Sequence, residues 1–499
     1  MSLLTAFSNA RASLGTVSAQ SALVSRNITN ADNPSATRKY ATLGTSRQGG
    51  VQILSVAQSR DQALFRSLVT SNSTLGAVAV TANALDRIRD VIGDVDSFDS
   101  PAASLVGLQN ALSQLAVTPE SPPSAEAAIS AAKDMASSLN RASSAVQNMR
   151  KDADAQLAQA ATAMNKLLAE LETVNKRVTV GTTTNADITD FVDRRDQIVS
   201  ELSGYVGLNV QMRAGNDLVL TTDSGITLFE TTARSIDFTP SNAYSATVSG
   251  GAFKIDGVSV FGPLAPMPIK GGSVFGLLQL RDETAVTFQG QLDALAFALV
   301  DSFAETEQNP APPPAVPDTN RYAGLFTATG MTIVPGSSAA TVGLAGLIKV
   351  ATGVDNTVGG NPMRLRDGGI SHADQPDEAR FVYNSKGAGG FTSRINELVA
   401  QFSTTRSFDV TLGAGGTGTL GNYAAASMGW LESIRSEATA DVDYGKVLLA
   451  QTRETLSNRT GVNLDEEMTR LLDLERSYQA SSKLISTVGQ MIDALLAIA

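Results

Sequence analysis

The side chains best suited to acid–base or metal chemistry are scattered along this chain. Carboxylate pairs recur, as in Asp90/Asp94 and Asp441/Asp443, and two carboxyl groups facing one cleft could divide acid and base work between them. Nothing in their spacing sets such a pair around a pocket, so they read as solvated faces. Metal and covalent chemistry lack their usual groups: cysteine is absent, and the single histidine, His372, lies in the loop-like run Gly369-Ile370-Ser371-His372-Ala373-Asp374. Structural zinc normally draws on thiolates. The Gly-rich run Gly413 to Gly421 is not followed by the Lys-Ser/Thr of a phosphate-binding loop. Asn216-Asp217 and Asp223-Ser224-Gly225 read as turns, because the alternating oxygen ligands and closing Glu of a calcium loop are missing. The sequence therefore predicts a protein that is not an enzyme and has no cofactor or metal.

Composition narrows the class further. A chain of 499 residues with 42% apolar content can fill real cores in about three domains. A net charge of -11 without a Lys/Arg cluster argues against nucleic acid as partner. Residues 1–9 lack the basic and continuous apolar segments of a conventional leader, and no run reaches the roughly 18 apolar residues of a membrane span. These features predict no membrane insertion. They fit a cytoplasmic protein, or one exported unfolded without a cleaved leader.

The elements that dominate are helices, and the two at the chain ends are the most informative. Leu3, Phe7, Ala10, Leu14, Val17, Ser21, Val24 and Ile28 alternate by four and three, while Leu464, Leu471, Tyr478, Ile485 and Ile492 recur every seven residues, with Val488 and Leu495 beside them. Each set is one face of an amphipathic helix. Residues 1–60 carry six Arg/Lys against one acidic residue, and residues 431–499 carry seven against eleven, a bias toward docking of the two ends. A two-stranded pair buries little by itself, so these stripes predict packing against neighbouring copies. Asn463 is expected to cap the last helix, with Asp465 to Glu467 in its first turn.

Between the ends the pattern predicts a mainly α fold with an inserted β-rich domain, its body a long helical bundle or coiled coil built from discontinuous segments. Residues 1–60 form an assembly helix and connector, and 61–206 the first part of the body. There a helix runs from Leu64 to Val95, weakened by Gly93 and stopped by Pro101, and Pro119, Pro122 and Pro123 mark a break. From Ala128 to Val178 a three-to-four spacing persists for nearly fifty residues, a helix about 70 Å long. Residues 207–270 switch to a period of two and form the β-rich insert. The body resumes over 271–310, a variable Gly/Pro-rich region occupies 311–425, a return helix 426–460, and the C-terminal assembly helix 461–499.

Several blocks of residues also carry a resemblance. Asn27-Ile28-Thr29-Asn30-Ala31-Asp32-Asn33-Pro34, Asp193-Arg194-Arg195-Asp196-Gln197-Ile198, Gly271-Gly272-Ser273-Val274-Phe275-Gly276 with Arg281-Asp282, and Ser457-Asn458-Arg459-Thr460-Gly461-Val462-Asn463 running into Asp465-Glu466-Glu467 resemble motifs of the flagellar hook-associated protein 1 family. Where that family usually reads Gly-Tyr-Ser-Arg-Gln, this chain has Ser35-Ala36-Thr37-Arg38-Lys39 and keeps only Arg38. The resemblance implies a secreted junction protein between hook and filament of the bacterial flagellum, exported unfolded through the flagellar type III channel. It implies self-assembly into a ring or helical layer, contacts with the hook protein and a second junction protein, and an export chaperone at the C-terminal region. The residues expected at the assembly interface are Leu3, Phe7, Leu14, Val17, Val24, Ile28 and Asn30 at one end, and Leu464, Leu471, Tyr478, Ile485, Val488, Ile492 and Leu495 at the other.

Overall fold

The computed structural model describes residues 3–46, 49–93, 100–310, 318–337 and 341–497. The chain opens with α1 (Leu3–Thr29) and then forms an antiparallel hairpin of β1 (Lys39–Thr45) and β2 (Val51–Gln58), with a register shift between Thr42 and Leu43. Helix α2 (Gln62–Ile92) starts where the Asp61 carboxylate accepts the backbone N–H groups of Ala63 and Leu64, and it ends at Gly93, whose φ of +83° suits a residue without Cβ. Asp94 and Val95, assigned to this stretch by their spacing, lie outside the described residues.

One proline expectation is corrected and one holds. Pro101 does not stop a helix: it opens α3 (Pro101–Val117), with Ser100 as cap. The break at Pro119, Pro122 and Pro123 falls between α3 and α4 (Pro122–Thr184), whose first residues are Pro122 and Pro123, capped by Ser121. A proline lacks the N–H that a first-turn residue leaves unpaired anyway, so it costs nothing there. Helix α4 therefore has 63 residues and ends at Asn185 in the left-handed region; at ~1.5 Å per residue it spans about 95 Å, beyond the sequence expectation. Its stripe from Ala128 through Met135, Leu139, Val146, Leu157, Met164, Leu168 and Leu171 to Val178 is fully buried.

Helix α5 (Thr189–Tyr205) leads into the β-rich insert. Strands β3 (Leu208–Met212), β4 (Leu218–Thr222), β5 (Thr227–Glu230) and β6 (Thr232–Ala233) form one antiparallel sheet in that order. Strands β7 (Ile236–Asp237), β8 (Lys254–Ile255) and β9 (Val258–Ser259) form a second. The chain re-enters the body at Gly271-Gly272. A Cβ on Gly272, at φ +87°, would lie 2.3 Å from the Tyr205 and Val206 backbone, and one on Gly276 would lie 2.3 Å from the Ala77 carbonyl oxygen. These glycines let the returning strand cross α2 and α5 at backbone contact. Helices α6 (Ser273–Gln279) and α7 (Ala285–Ser302) continue each other through a π turn at Leu280–Thr284.

The Arg281 guanidinium at that turn is buried against Asp154 of α4 at 2.6 Å and Asp282 at 2.7 Å. The Tyr244 hydroxyl donates to Asp154 at 2.7 Å, and Arg150 donates to the Arg281, Ser245 and Val248 carbonyls. Charge pairing thus ties the π turn to the long helix, and hydrogen bonds from Arg150 and to Asp154 tie in the β insert.

The Gly/Pro-rich region holds β10 (Phe326–Ala328) paired with β11 (Ile348–Val350), α8 (Arg364–Asp367), α9 (Ser393–Ala400), and β12 (Arg406–Ser407) paired with β13 (Thr417–Gly418). Its buried residues, among them Phe326, Ile348, Val354, Ile395 and Phe402, join the same apolar cluster as α3, α4 and α7. The proline-rich run Ala311 to Pro317 lies outside the described residues. His372 stacks on Phe381 with ring centroids 3.6 Å apart, and its Nδ1 lies 3.0 Å from the Ser371 hydroxyl. Helix α10 (Leu420–Thr460) then returns along α2, and α11 (Leu464–Leu496) closes the chain against α1. The fold is mainly helical, with discontinuous long helices, inserted β-sheets and long terminal helices.

Candidate functional site

The two ends of the sequence meet. Val17 and Val24 of α1 and Leu474 of α11 form a buried apolar cluster, with Ile28 and Leu471 packed against it. Asn463 caps α11 by accepting the N–H groups of Asp465 and Glu466 at 3.0 and 3.3 Å.

Of the residues named from the sequence, Val17, Val24 and Val488 are buried, while Leu3, Phe7, Leu14, Ile28, Asn30, Leu471, Ile485 and Ile492 are half-buried. Leu464, Tyr478 and Leu495 are exposed. Asn30 does not reach the opposite helix; its side chain bonds the Arg26 carbonyl at 2.8 Å and finishes α1. The most buried row on α11 is Glu467, Leu474, Ser481 and Val488, which shares the seven-residue repeat but sits on the other half of the heptad. Two of its four members are polar, so the apolar pattern could not reveal it. Its place in the first turn of α11 marks Glu467 as a dipole partner, but not as a seam residue.

Glu467 organises the lower end of this pair. One carboxylate oxygen accepts from Asn27 Nδ2 at 3.0 Å and the other from Arg38 Nε at 2.6 Å. Asn27, only 2% exposed, also donates to the Lys39 carbonyl at 2.8 Å and accepts the Lys39 N–H at 3.0 Å. One amide thus joins α1, the start of β1 and the start of α11. Arg38, the residue kept from the family pattern, is the cation of this knot.

Lys39 carries the connection to the body. Its buried ammonium pairs with Asp190 and lies 3.2 Å from Asp193, both on α5. Thr37 donates its hydroxyl to Asp193 at 2.6 Å, and Gln58 donates to the same oxygen at 3.2 Å. Arg26 pairs with Asp187 at 2.9 Å and with Asp190. Burial pushes the Asp190 carboxyl up, but hydrogen bonds from Arg26 and Lys39 outweigh it and hold the group below the usual carboxylate range. Asp187 is also held low, burial being overcome by the Thr189 hydroxyl and N–H and by Arg26.

The four-residue block on α5 sends each side chain to a different place. Asp193 takes the hairpin residues above. Arg194 makes a bidentate pair with Glu170 of α4 at 2.6 and 2.9 Å. Arg195, fully buried, donates to Asn175 of α4 at 3.1 Å and to the Asn216 carbonyl before β4 at 2.6 Å, and burial lowers its guanidinium to about 10. Asp196 accepts from Arg60, in the link between β2 and α2, at 2.7 Å. Sequence blocks near residues 27–39, 193–196 and 457–467 are therefore one place in space. What this place does chemically is hold helices together by charge. Among the described residues, no group of three or more His, Cys, Asp or Glu could hold a metal ion, and no helix is long and apolar enough to cross a membrane.

A discontinuous helical body with a knot joining the two chain ends defines a class of helical structural protein. Residues 85–310 match the helical domain of the flagellar hook-associated protein FlgK, and residues 456–498 match the C-terminal segment of the flagellar basal body rod proteins FlgEFG. The chain is 25% identical to flagellar hook-associated protein 1 of Salmonella typhimurium over 303 residues, 58% of this chain and 54% of that protein. It therefore spans about half the length of that relative. The corresponding Bacillus subtilis protein is 21% identical over 483 residues, 90% of this chain and 85% of that one. The flagellar hook junction protein FlgK of Burkholderia pseudomallei shares the fold, with a TM-score of 0.56 at 14% identity, covering 78% of this chain and 99% of that chain. The match is thus at family level, to flagellar hook-associated protein 1.

Proposed function

We propose that this chain is a structural subunit of the bacterial flagellum that polymerises at the hook–filament junction, outside the cell, as a mechanical adaptor. The observation that carries this reading is the terminal helix pair with apolar side chains left uncovered. Along α11, Leu464, Met468, Leu472, Leu484, Met491 and Leu495 are exposed, apolar groups on more than one face that a lone two-helix pair leaves in water. Neighbouring copies in a ring or helical layer are their natural cover. The hook protein below and a second junction protein above are the further partners, and export proceeds unfolded through the flagellar type III channel with a chaperone at the C-terminal region. The match to rod proteins is confined to 456–498, whereas the longer match to the junction protein's helical domain favours the junction over rod or hook.

The test is complementation of a strain deleted for this chain, read by motility and by electron microscopy of its hooks. Filament-less hooks are expected in the deletion, and filaments on restoring the chain. Ile485→Asp on the seam and Leu484→Asp at an exposed apolar position are both expected to abolish filament growth while the secreted subunit keeps a folded body. Filaments formed by both variants would overturn the reading.

A further inference from the structure

The apolar clusters of body and ends share no residue. Among the described residues, the large cluster takes no member from 3–58 or 464–496, and the terminal cluster takes none from the body. What lies between them is polar. The chain crosses this layer twice, outward through Ser59–Asp61 and back through Gly461–Asn463. The Arg38 backbone sits between the two crossings: its N–H donates to the Thr460 carbonyl at 2.8 Å, and its carbonyl accepts the Ser59 N–H at 2.8 Å. The Ser59 hydroxyl donates to the Arg459 carbonyl at 3.2 Å. Close by, Lys39 and Thr37 are sunk against Asp193, whose side chain is 12% exposed.

Farther out the contacts change character. Arg26 meets Asp187 and Asp190, whose side chains are 37% and 68% exposed, and Arg60 meets Asp196 in a half-exposed pair. Buried pairs are poorly screened, while exposed pairs are weak one by one and fade with salt.

We propose that this layer is an ionic joint. Arg38 and Lys39 with Asp190 and Asp193 form a pivot that stays made, and the outer pairs of Arg26 with Asp187, and of Arg60 with Asp196, lock the terminal helix pair at one angle to the body. Screening or removal of the outer charges frees that angle without separating α1 from α11. An apolar contact would fix the angle by shape; ion pairs about a backbone pivot let one subunit seat its ends and its body on differently curved layers. The proposal deepens the assembly reading and rests on the α1–α11 pair.

The chain has no cysteine, so spin labels can be placed cleanly in the full-length protein. Ser18→Cys with Gln479→Cys reports the distance within the terminal pair, and Thr173→Cys with Gln479→Cys reports the distance across the joint, by pulsed electron resonance. At about 0.05 M salt both distance distributions are expected to be narrow; at about 1 M the cross-joint distribution broadens about twofold and the internal one does not. Asp187→Asn with Arg60→Gln, which leaves the Lys39 partners in place, is expected to produce the broad cross-joint distribution already at low salt, with unchanged thermal unfolding of the body. A narrow cross-joint distribution under both treatments overturns the joint and leaves the helix pair standing. A broad internal distribution at low salt overturns the joint together with the pair it rests on.

Discussion

The body and the terminal unit are made of the same element, long helices, yet different forces hold them. Along α4 a continuous apolar stripe from Ala128 to Val178 is fully buried against several elements at once, with Arg150, Asp154 and Asn175 among the buried polar exceptions. Along the α1–α11 seam, among the described residues, Val17, Val24 and Leu474 form a small cluster, Glu467 and Ser481 interrupt it, and Met468, Leu472, Leu484 and Met491 of α11 stay exposed. A helix surrounded on all sides gains from each apolar residue it carries. A helix in a pair uses one side and leaves the rest uncovered. The difference separates a body closed by its own burial from ends that keep apolar side chains in water.

The largest expected effect lies in the body. Asp154→Ala leaves the buried Arg281 guanidinium with Asp282 as its single carboxylate partner and the Tyr244 hydroxyl without its acceptor, and should cost about 3 kcal/mol of body stability in denaturant unfolding. Leu474→Ala removes the α11 contribution to the terminal cluster; a loss near the lower end of core truncations, about 2–3 kcal/mol, is expected in hydrogen exchange of α1 and α11 amides, with the body transition unchanged. A body transition that moved with it would merge the two regions and break the comparison. Glu467→Gln keeps the shape and removes the charge facing Asn27 and Arg38, for a smaller loss of about 1–2 kcal/mol in the same terminal amides.

The smallest effect is a pH dependence. Asp187 and Asp190 have folded pKa values below their unfolded ones, so they bind fewer protons in the folded state. Their contribution is complete above the unfolded value of about 4 and is lost as pH falls through their lower folded values. The stability difference between wild type and Asp187→Asn/Asp190→Asn should therefore be flat near neutrality and shrink only in acid, as urea unfolding at stepped pH would reveal.

Much of the scaffold is legible in the sequence because helices write their period locally. The α4 stripe, the shift to a two-residue period at Leu208, and the Asn463 cap all follow from neighbouring residues. Pro101 is harder, because proline reads the same before a helix as after one; the capping Ser100 decides which. The α1–α11 seam was half legible: its apolar members show, but Glu467 and Ser481 are seam positions in polar disguise. The knot was not legible as a knot. Asn27, Lys39, Asp193 and Glu467 are separated by up to 440 residues, and no periodicity connects them.

The sequence by itself determined which segments are helices, where the period changes to strand, that both ends carry apolar faces, and that the usual reactive residues are scarce. These depend on side-chain spacing and local capping, which act within a few residues. Only the tertiary structure decided that three distant blocks form one polar layer, that Arg38 sits at its pivot, and that several apolar side chains of α11 stay uncovered. Those facts depend on which surfaces meet, and burial is a property of the meeting rather than of either residue alone.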